Sequence, residues 1–140
     1  MNIPEAVLRS QIKRGTILHS YLFKENIGHG KFFVVIGINE KYVVGFFFIN
    51  SRINIPLKGK QEQLDMQYPM RQCDYDFLRY DSFLSATNIE KISIDRLLDS
   101  IRENQTELKG EMKQEHIDEL LESARRSPLF SLNEKNQFFS

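Results

Sequence analysis

Two clusters of polar residues flank the most apolar stretch of the chain. His29 and Lys31 bracket Gly30 just before Phe32-Phe-Val-Val-Ile36. Asn50, Ser51 and Arg52 follow directly on Tyr42-Val-Val-Gly-Phe-Phe-Phe-Ile49. A neutral imidazole takes up a proton near neutral pH, and an ammonium holds a phosphate as a point charge. A guanidinium clamps a phosphate through two parallel hydrogen bonds, and a serine hydroxyl or an amide adds a neutral one. Such a set binds an anion and moves a proton beside it. His29, Lys31, Arg52 and Asp81 are the candidate catalytic groups, and Ser51 and Asn50 the candidate substrate-binding ones. Asp81-Ser82 lies between short apolar stretches, where a carboxylate can face the same groove or bond nearby backbone in a turn. The other two clusters also read as a solvated loop and a solvated strand end.

The remaining histidines carry less. His19 alternates with apolar residues and reads as a satisfied core or edge side chain, and His116 lies amid acids and reads as surface. No HExxH or paired His and Cys suggests zinc, and no GxxxxGK[ST] or GxGxxG loop suggests a nucleotide. No GxSxG elbow is present. The single cysteine, Cys73, excludes an intrachain disulfide and a multi-cysteine metal site. Neither a metal nor a cofactor is expected.

What must position the two clusters is a hairpin. Both apolar runs are strand-length and rich in aromatic and β-branched residues, which pack well on a pleated surface. Asn39-Glu40-Lys41 separates them and suits a tight turn, so strands over 31–38 and 41–49 are expected. Antiparallel pairing then brings Lys31 beside Ser51, with Arg52 just beyond.

Around the hairpin, Asn2 and Pro4 suit the start of a short helix running to about Gln11, burying Ile3, Val7 and Leu8. Gly15 breaks it, and 16–23 alternates as a first strand. A short strand is expected at 52–56, another over 74–80, and two more within 83–86 and 87–93. Ser93 suits a helix cap before Ile94, Leu97, Leu98 and Ile101. Ile117, Leu120, Leu121 and Ala124 repeat that spacing before Pro128. The expected helices are 94–103 and 113–125, each a one-sided lid on the sheet. Residues 127–140 read as a tail with a mobile end. Strands followed by helices indicate α+β: a small curled antiparallel sheet or SH3-like barrel, 13–92, beneath a helical cap, 93–126.

At 140 residues, one domain with a real core is expected. No apolar run approaches the roughly 20 residues of a membrane helix, and the first residues lack a signal peptide's pattern. Cytoplasmic residence without membrane attachment is the expectation. The zero net charge conceals a split. Residues 1–60 carry nine Lys or Arg against three acids, and residues 61–140 carry ten against sixteen. A basic half suits a polyanion, and the two halves also suit each other.

Three segments together resemble the opening of MazF/PemK-type toxins: Lys13-Arg-Gly-Thr-Ile17, Gly28-His-Gly-Lys-Phe-Phe-Val-Val-Ile36 and Ile49-Asn-Ser51. That family has a K-R-G-D-I-like start, a glycine-containing loop, a basic residue before an R-P-x-x-V-V strand, and a later strand ending in Thr/Ser-Ser. Tyr80-Asp-Ser-Phe-Leu84 through Ile92 is similar to its final barrel strands, so the resemblance spans roughly 13–101. It implies an SH3-like barrel, a homodimer, RNA cleavage without metal and an antitoxin partner. Lys31 matches the family's basic position and Ser51 its Ser/Thr position, whereas His29 and Arg52 are neighbours of the pattern. Thr16 stands where the family has Asp, and Lys31-Phe32 where it has Arg-Pro.

Three functions compete: a toxin-like, metal-independent endoribonuclease; a non-catalytic barrel module binding single-stranded nucleic acid or a protein partner through its basic rim; and a protein that associates with a partner through its sheet edge and acidic helices. Cleavage separates the first from the rest, and salt-sensitive RNA binding separates the second from the third.

Overall fold

A computed structural model describes residues 4–23, 29–53 and 60–140. In chain order the elements are α1 (Glu5–Gln11), β1 (Thr16–Ser20), β2 (Lys31–Ile38), β3 (Val43–Asn50), α2 (Gln61–Asp65), β4 (Gln67–Met70) and β5 (Ser82–Ser85). β6 (Glu90–Ser93), α3 (Ile94–Arg102), β7 (Thr106–Glu111), α4 (Gln114–Arg126) and α5 (Leu132–Phe138) complete the chain. The protein is α+β, with one antiparallel sheet ordered β4-β5-β3-β2-β1-β7.

β3 has two partners along one side: β6 pairs with Val43–Phe46 and β5 with Ile49–Asn50. Two partners diverging from one strand give the sheet its curl. β4 and β7 end the strand order and do not pair with each other. The expected curled antiparallel sheet is therefore present, but it is open where a barrel closes.

The expected hairpin forms, with Phe32 opposite Ile49 and Phe33 opposite Phe48, and its register shifts between Val35 and Gly37. Asn39 builds its turn: the side-chain oxygen accepts from the amides of Lys41 and Val43, at 3.0 and 2.9 Å. Tyr42 adopts a left-handed φ of 60°, so it belongs to the turn and the second strand starts at Val43.

The central strands are covered on both faces, which explains why their sequences run apolar without strict alternation. On one face Leu18, Phe33, Val35, Val44 and Phe46 meet Leu8 and Ile12 from the α1 region and Ile94, Leu97 and Leu98 of α3. On the other, Ile17, Val34, Ile36, Phe47 and Ile49 meet Ile117, Leu120, Leu121 and Ala124 of α4, with Phe130, Phe138 and Phe139. Ser93 caps α3, accepting from the Arg96 amide. α1 buries Leu8 as expected, whereas Val7 faces outward; Asn2 and Ile3 lie outside the described residues. Among the described residues no helix is long and apolar enough to cross a membrane.

Three expectations need correction, and a fourth lies mostly outside the described residues. The helical cap is interrupted by β7, which pairs with β1. Residues 74–80 form consecutive turns rather than a strand; Tyr75 and Leu78, three apart, are the buried pair, and the Leu78 amide bonds the Tyr75 carbonyl at 3.0 Å. The strand expected at 52–56 falls largely outside the described residues, and Arg52 and Ile53 are not in a strand.

The tail is the third correction. Residues 132–138 form α5, with a capping box between Ser131 and Glu134. Phe138 is 1% exposed and Phe139 fully buried. Gly37 and Gly45, opposite each other on β2 and β3, make room: a Cβ at either would collide with Phe138. Arg14 then donates to the carbonyls of Ile36, Phe138 and Ser140, and Arg125 to that of Phe139. The tail is a structural plug in the sheet.

Candidate nucleic-acid interface

β2 begins and β3 ends at the same rim of the sheet, and an open groove of about 670 Å³ lies there. Its first wall is the hairpin rim: His29, Lys31, Asn50, Ser51 and Arg52, with Phe32 and Ile49 beneath. Five of the six side chains singled out from the sequence therefore line one depression. Lys31 lies one step beyond the Phe32–Ile49 pair, and its ammonium donates to the Asn50 side-chain oxygen. The ammonium also stands 5.3 Å from the centre of the Phe48 ring. His29, Ser51 and Arg52 are exposed.

The loop that presents His29 is braced from below. His19 directs Nε2 at the His29 carbonyl, 3.1 Å away. A carbonyl only accepts, so Nε2 carries the proton. The His19 ring packs against Phe32 and Tyr21, with centroids 4.5 and 5.0 Å away. Gly30 has φ +70°, and a Cβ there would strike this imidazole. His19 is thus a satisfied, half-buried residue on an inner strand, and it supports the loop that carries His29.

The second wall comes from the β4–β5 loop: Phe77, Leu78, Arg79 and Tyr80, followed by Ser82 at the start of β5. Phe77 meets Phe32 across the floor, with ring centroids 5.0 Å apart. Leu78 is buried, while Arg79 and Tyr80 point outward. Sequence reading missed Arg79 and Tyr80 by assigning 74–80 to a strand with alternating faces. The available signal was chemical: a basic and an aromatic residue directly before Asp81-Ser82.

Asp81 is not brought into the groove. One of its oxygens accepts from the Gln72 amide at 2.8 Å and closes the loop on itself. A charged acceptor bonded to backbone makes this the turn alternative, with the partner nine residues away rather than adjacent. No Asp or Glu is found among the described residues that line the groove. Lys31, Arg52 and Arg79 give it a one-signed character. Like charges so placed attract an anion.

The loop is anchored away from the groove by Tyr75, which is 4% exposed. Its hydroxyl accepts from the Lys113 amide at 3.0 Å and lies 2.7 Å from His116 Nδ1. With that oxygen accepting from Lys113, the phenolic proton is available to His116. Burial pushes the Tyr75 hydroxyl above its ordinary pKa, against an opposing contribution from the Lys113 amide. His116 is consequently half-buried and bonded, not the surface residue its acidic neighbours suggested. Nearby, Tyr68 donates to Glu119 at 2.8 Å; burial first, then that bond, raises its pKa. Lys113 also bonds Asp74 at 3.0 Å, which holds the Asp74 carboxyl below its usual range.

Cys73 is exposed in the same loop. Among the described residues no group of three or more His, Cys, Asp or Glu is arranged to hold a metal ion. In comparisons with known proteins, no family model and no curated protein matches the chain.

Proposed function

We propose that this protein binds single-stranded RNA in the groove and cleaves it without a metal, as a toxin-like endoribonuclease of the kind its sequence resembles. The observation that carries the reading is the convergence of Lys31, Arg52, Arg79 and His29 beside aromatic rings in a groove whose described lining has no acid. Cations track a phosphate backbone, and aromatic faces receive unpaired bases. In the reaction, His29 takes the proton of a 2′-hydroxyl. The freed oxygen attacks the adjacent phosphorus and the bond to the 5′-oxygen breaks. The products are a 2′,3′-cyclic phosphate and a 5′-hydroxyl, the latter receiving a proton from the imidazolium or water. Lys31 and Arg52 stabilise the added charge on the crowded phosphate, and Ser51 and Asn50 hydrogen-bond its oxygens.

On this reading the protein works in the cytoplasm as a homodimer and is held in check by a protein antitoxin. The second reading is a groove that binds single strands without cutting them. The engagement of Asp81 with Gln72 favours it, because His29 is then the one candidate base at the site. Incubation of unstructured RNA with the protein in excess EDTA decides between them. Cleavage to cyclic-phosphate ends, abolished by 2′-deoxy substitution at the cut site and by His29→Ala, is expected. Salt-sensitive binding without cleavage establishes the second reading, and absence of both overturns the proposal.

A further inference from the structure

The two walls of the groove are built from different chemistry, and the aromatic wall has a consequence of its own. Tyr80 is 66% exposed, although it lies in a loop whose earlier residues Tyr75 and Leu78 are buried. Ser82 donates to the Tyr80 carbonyl at 2.9 Å. Asp81, next in sequence, is tied to the Gln72 amide. The backbone on both sides of Tyr80 is therefore pinned while its ring stands open. Among the described residues the ring has no hydrogen-bond or stacking partner. Leaving a large ring in water forgoes the gain from burying it, yet this ring stands at the edge of the cationic groove. Arg79 beside it is exposed and makes no ion pair among the described residues.

Resting on the RNA-binding reading, we infer that Tyr80 is a stacking platform for one unpaired nucleobase and Arg79 the contact to a phosphate next to it. The β4–β5 loop then sets the preference for single strands, since a paired base offers no free face. The hairpin wall holds the backbone whatever the sequence, and Tyr80 adds a contact that responds to the base and not to salt. A rigid ring costs little ordering on binding, so most of the stacking free energy appears as affinity.

The test measures binding of a short unstructured 2′-O-methyl oligoribonucleotide, which cannot be cut, across a salt series. Tyr80→Ala should weaken binding about 10-fold, within the range for loss of one base–aromatic stack, with the salt slope unchanged. Tyr80→Phe should bind like the parent, because the ring face is kept. Scanning one abasic site along the strand should find a position at which the parent loses as much affinity. Tyr80→Ala should lose nothing further at that position. Arg79→Ala should instead flatten the salt slope by about one counterion. If Tyr80→Ala binds like the parent while Arg52→Ala binds more weakly, the stacking platform is wrong and the RNA-binding reading stands. If the parent does not bind the oligonucleotide, both fall.

Discussion

The two walls of the groove reach the same place by opposite routes. The hairpin wall consists of polar side chains at the ends of two central strands, and strand pairing sets most of its geometry, with His19 of β1 bracing the His29 end. The loop wall has no regular secondary structure, and contacts to α4 well along the chain hold it in place. Tyr75 reaches the Lys113 amide and His116, and Lys113 reaches Asp74. The first wall carries most of its charge in exposed groups, while the second presents an aromatic surface on a buried anchor. An exposed charge can change with little effect on folding. A loop wall cannot lose its anchor without losing its shape.

The sharpest way to break this contrast is at the anchor. Tyr75→Ala removes a buried ring and both of its hydrogen bonds. It should cost about 3–5 kcal/mol in chemical denaturation, with RNA binding weakened even where the protein stays folded. A loss below about 1 kcal/mol would show that the loop holds itself. Tyr75→Phe keeps the ring but leaves the Lys113 amide and His116 without their partner. A loss of about 1 kcal/mol is expected, because part-buried hydrogen bonds are removed.

The hairpin wall should respond in the reverse sense. Arg52→Ala should weaken RNA binding, most visibly at low salt, with stability unchanged to within about 0.5 kcal/mol. Lys31→Ala should also weaken binding, with a stability loss of about 1 kcal/mol for its bond to Asn50. Unchanged RNA affinity in both variants would remove the hairpin from the site.

The smallest effects are in the pH dependence, and they again single out the loop. Bonding from Lys113 lowers the Asp74 pKa, so the pair's contribution is in place above the ordinary carboxylate range. It is lost as the pH falls through the lowered value. An NMR titration should therefore show the Asp74 pKa rising in Lys113→Ala; an identical titration in both proteins would mean that the pair does not form in solution. At the alkaline end the sign reverses. Burial raises the pKa of Tyr75, so its contribution is complete below the ordinary tyrosine value and is lost as the pH rises through the folded one. Phenolate absorbance should show this hydroxyl ionising late, together with unfolding. Early, reversible ionisation of every tyrosine would contradict its burial.

Legibility in the sequence follows the same division. Composition marked the hairpin and the meeting of His29, Lys31, Asn50, Ser51 and Arg52 at one rim, because antiparallel pairing is a short-range constraint; the irregularity between Val35 and Gly37 was not legible there. The helical stripes of α3 and α4 were visible for the same reason: their periods are local. The alternation of Tyr75, Phe77 and Arg79 misled, because burial of Tyr75 and Leu78 against distant residues outweighed a local pattern.

By itself, then, the sequence determined an α+β chain, a central hairpin, two amphipathic helices and a polar rim with a basic bias. The tertiary structure decided that the sheet stays open and that the last helix plugs it at Gly37 and Gly45. It also decided that Asp81 closes a loop and that Arg79 and Tyr80 complete the groove. Each of these depends on residues far apart in the chain finding one another. Which such contacts form is settled by the packing of the whole core, and no local window of sequence contains that information.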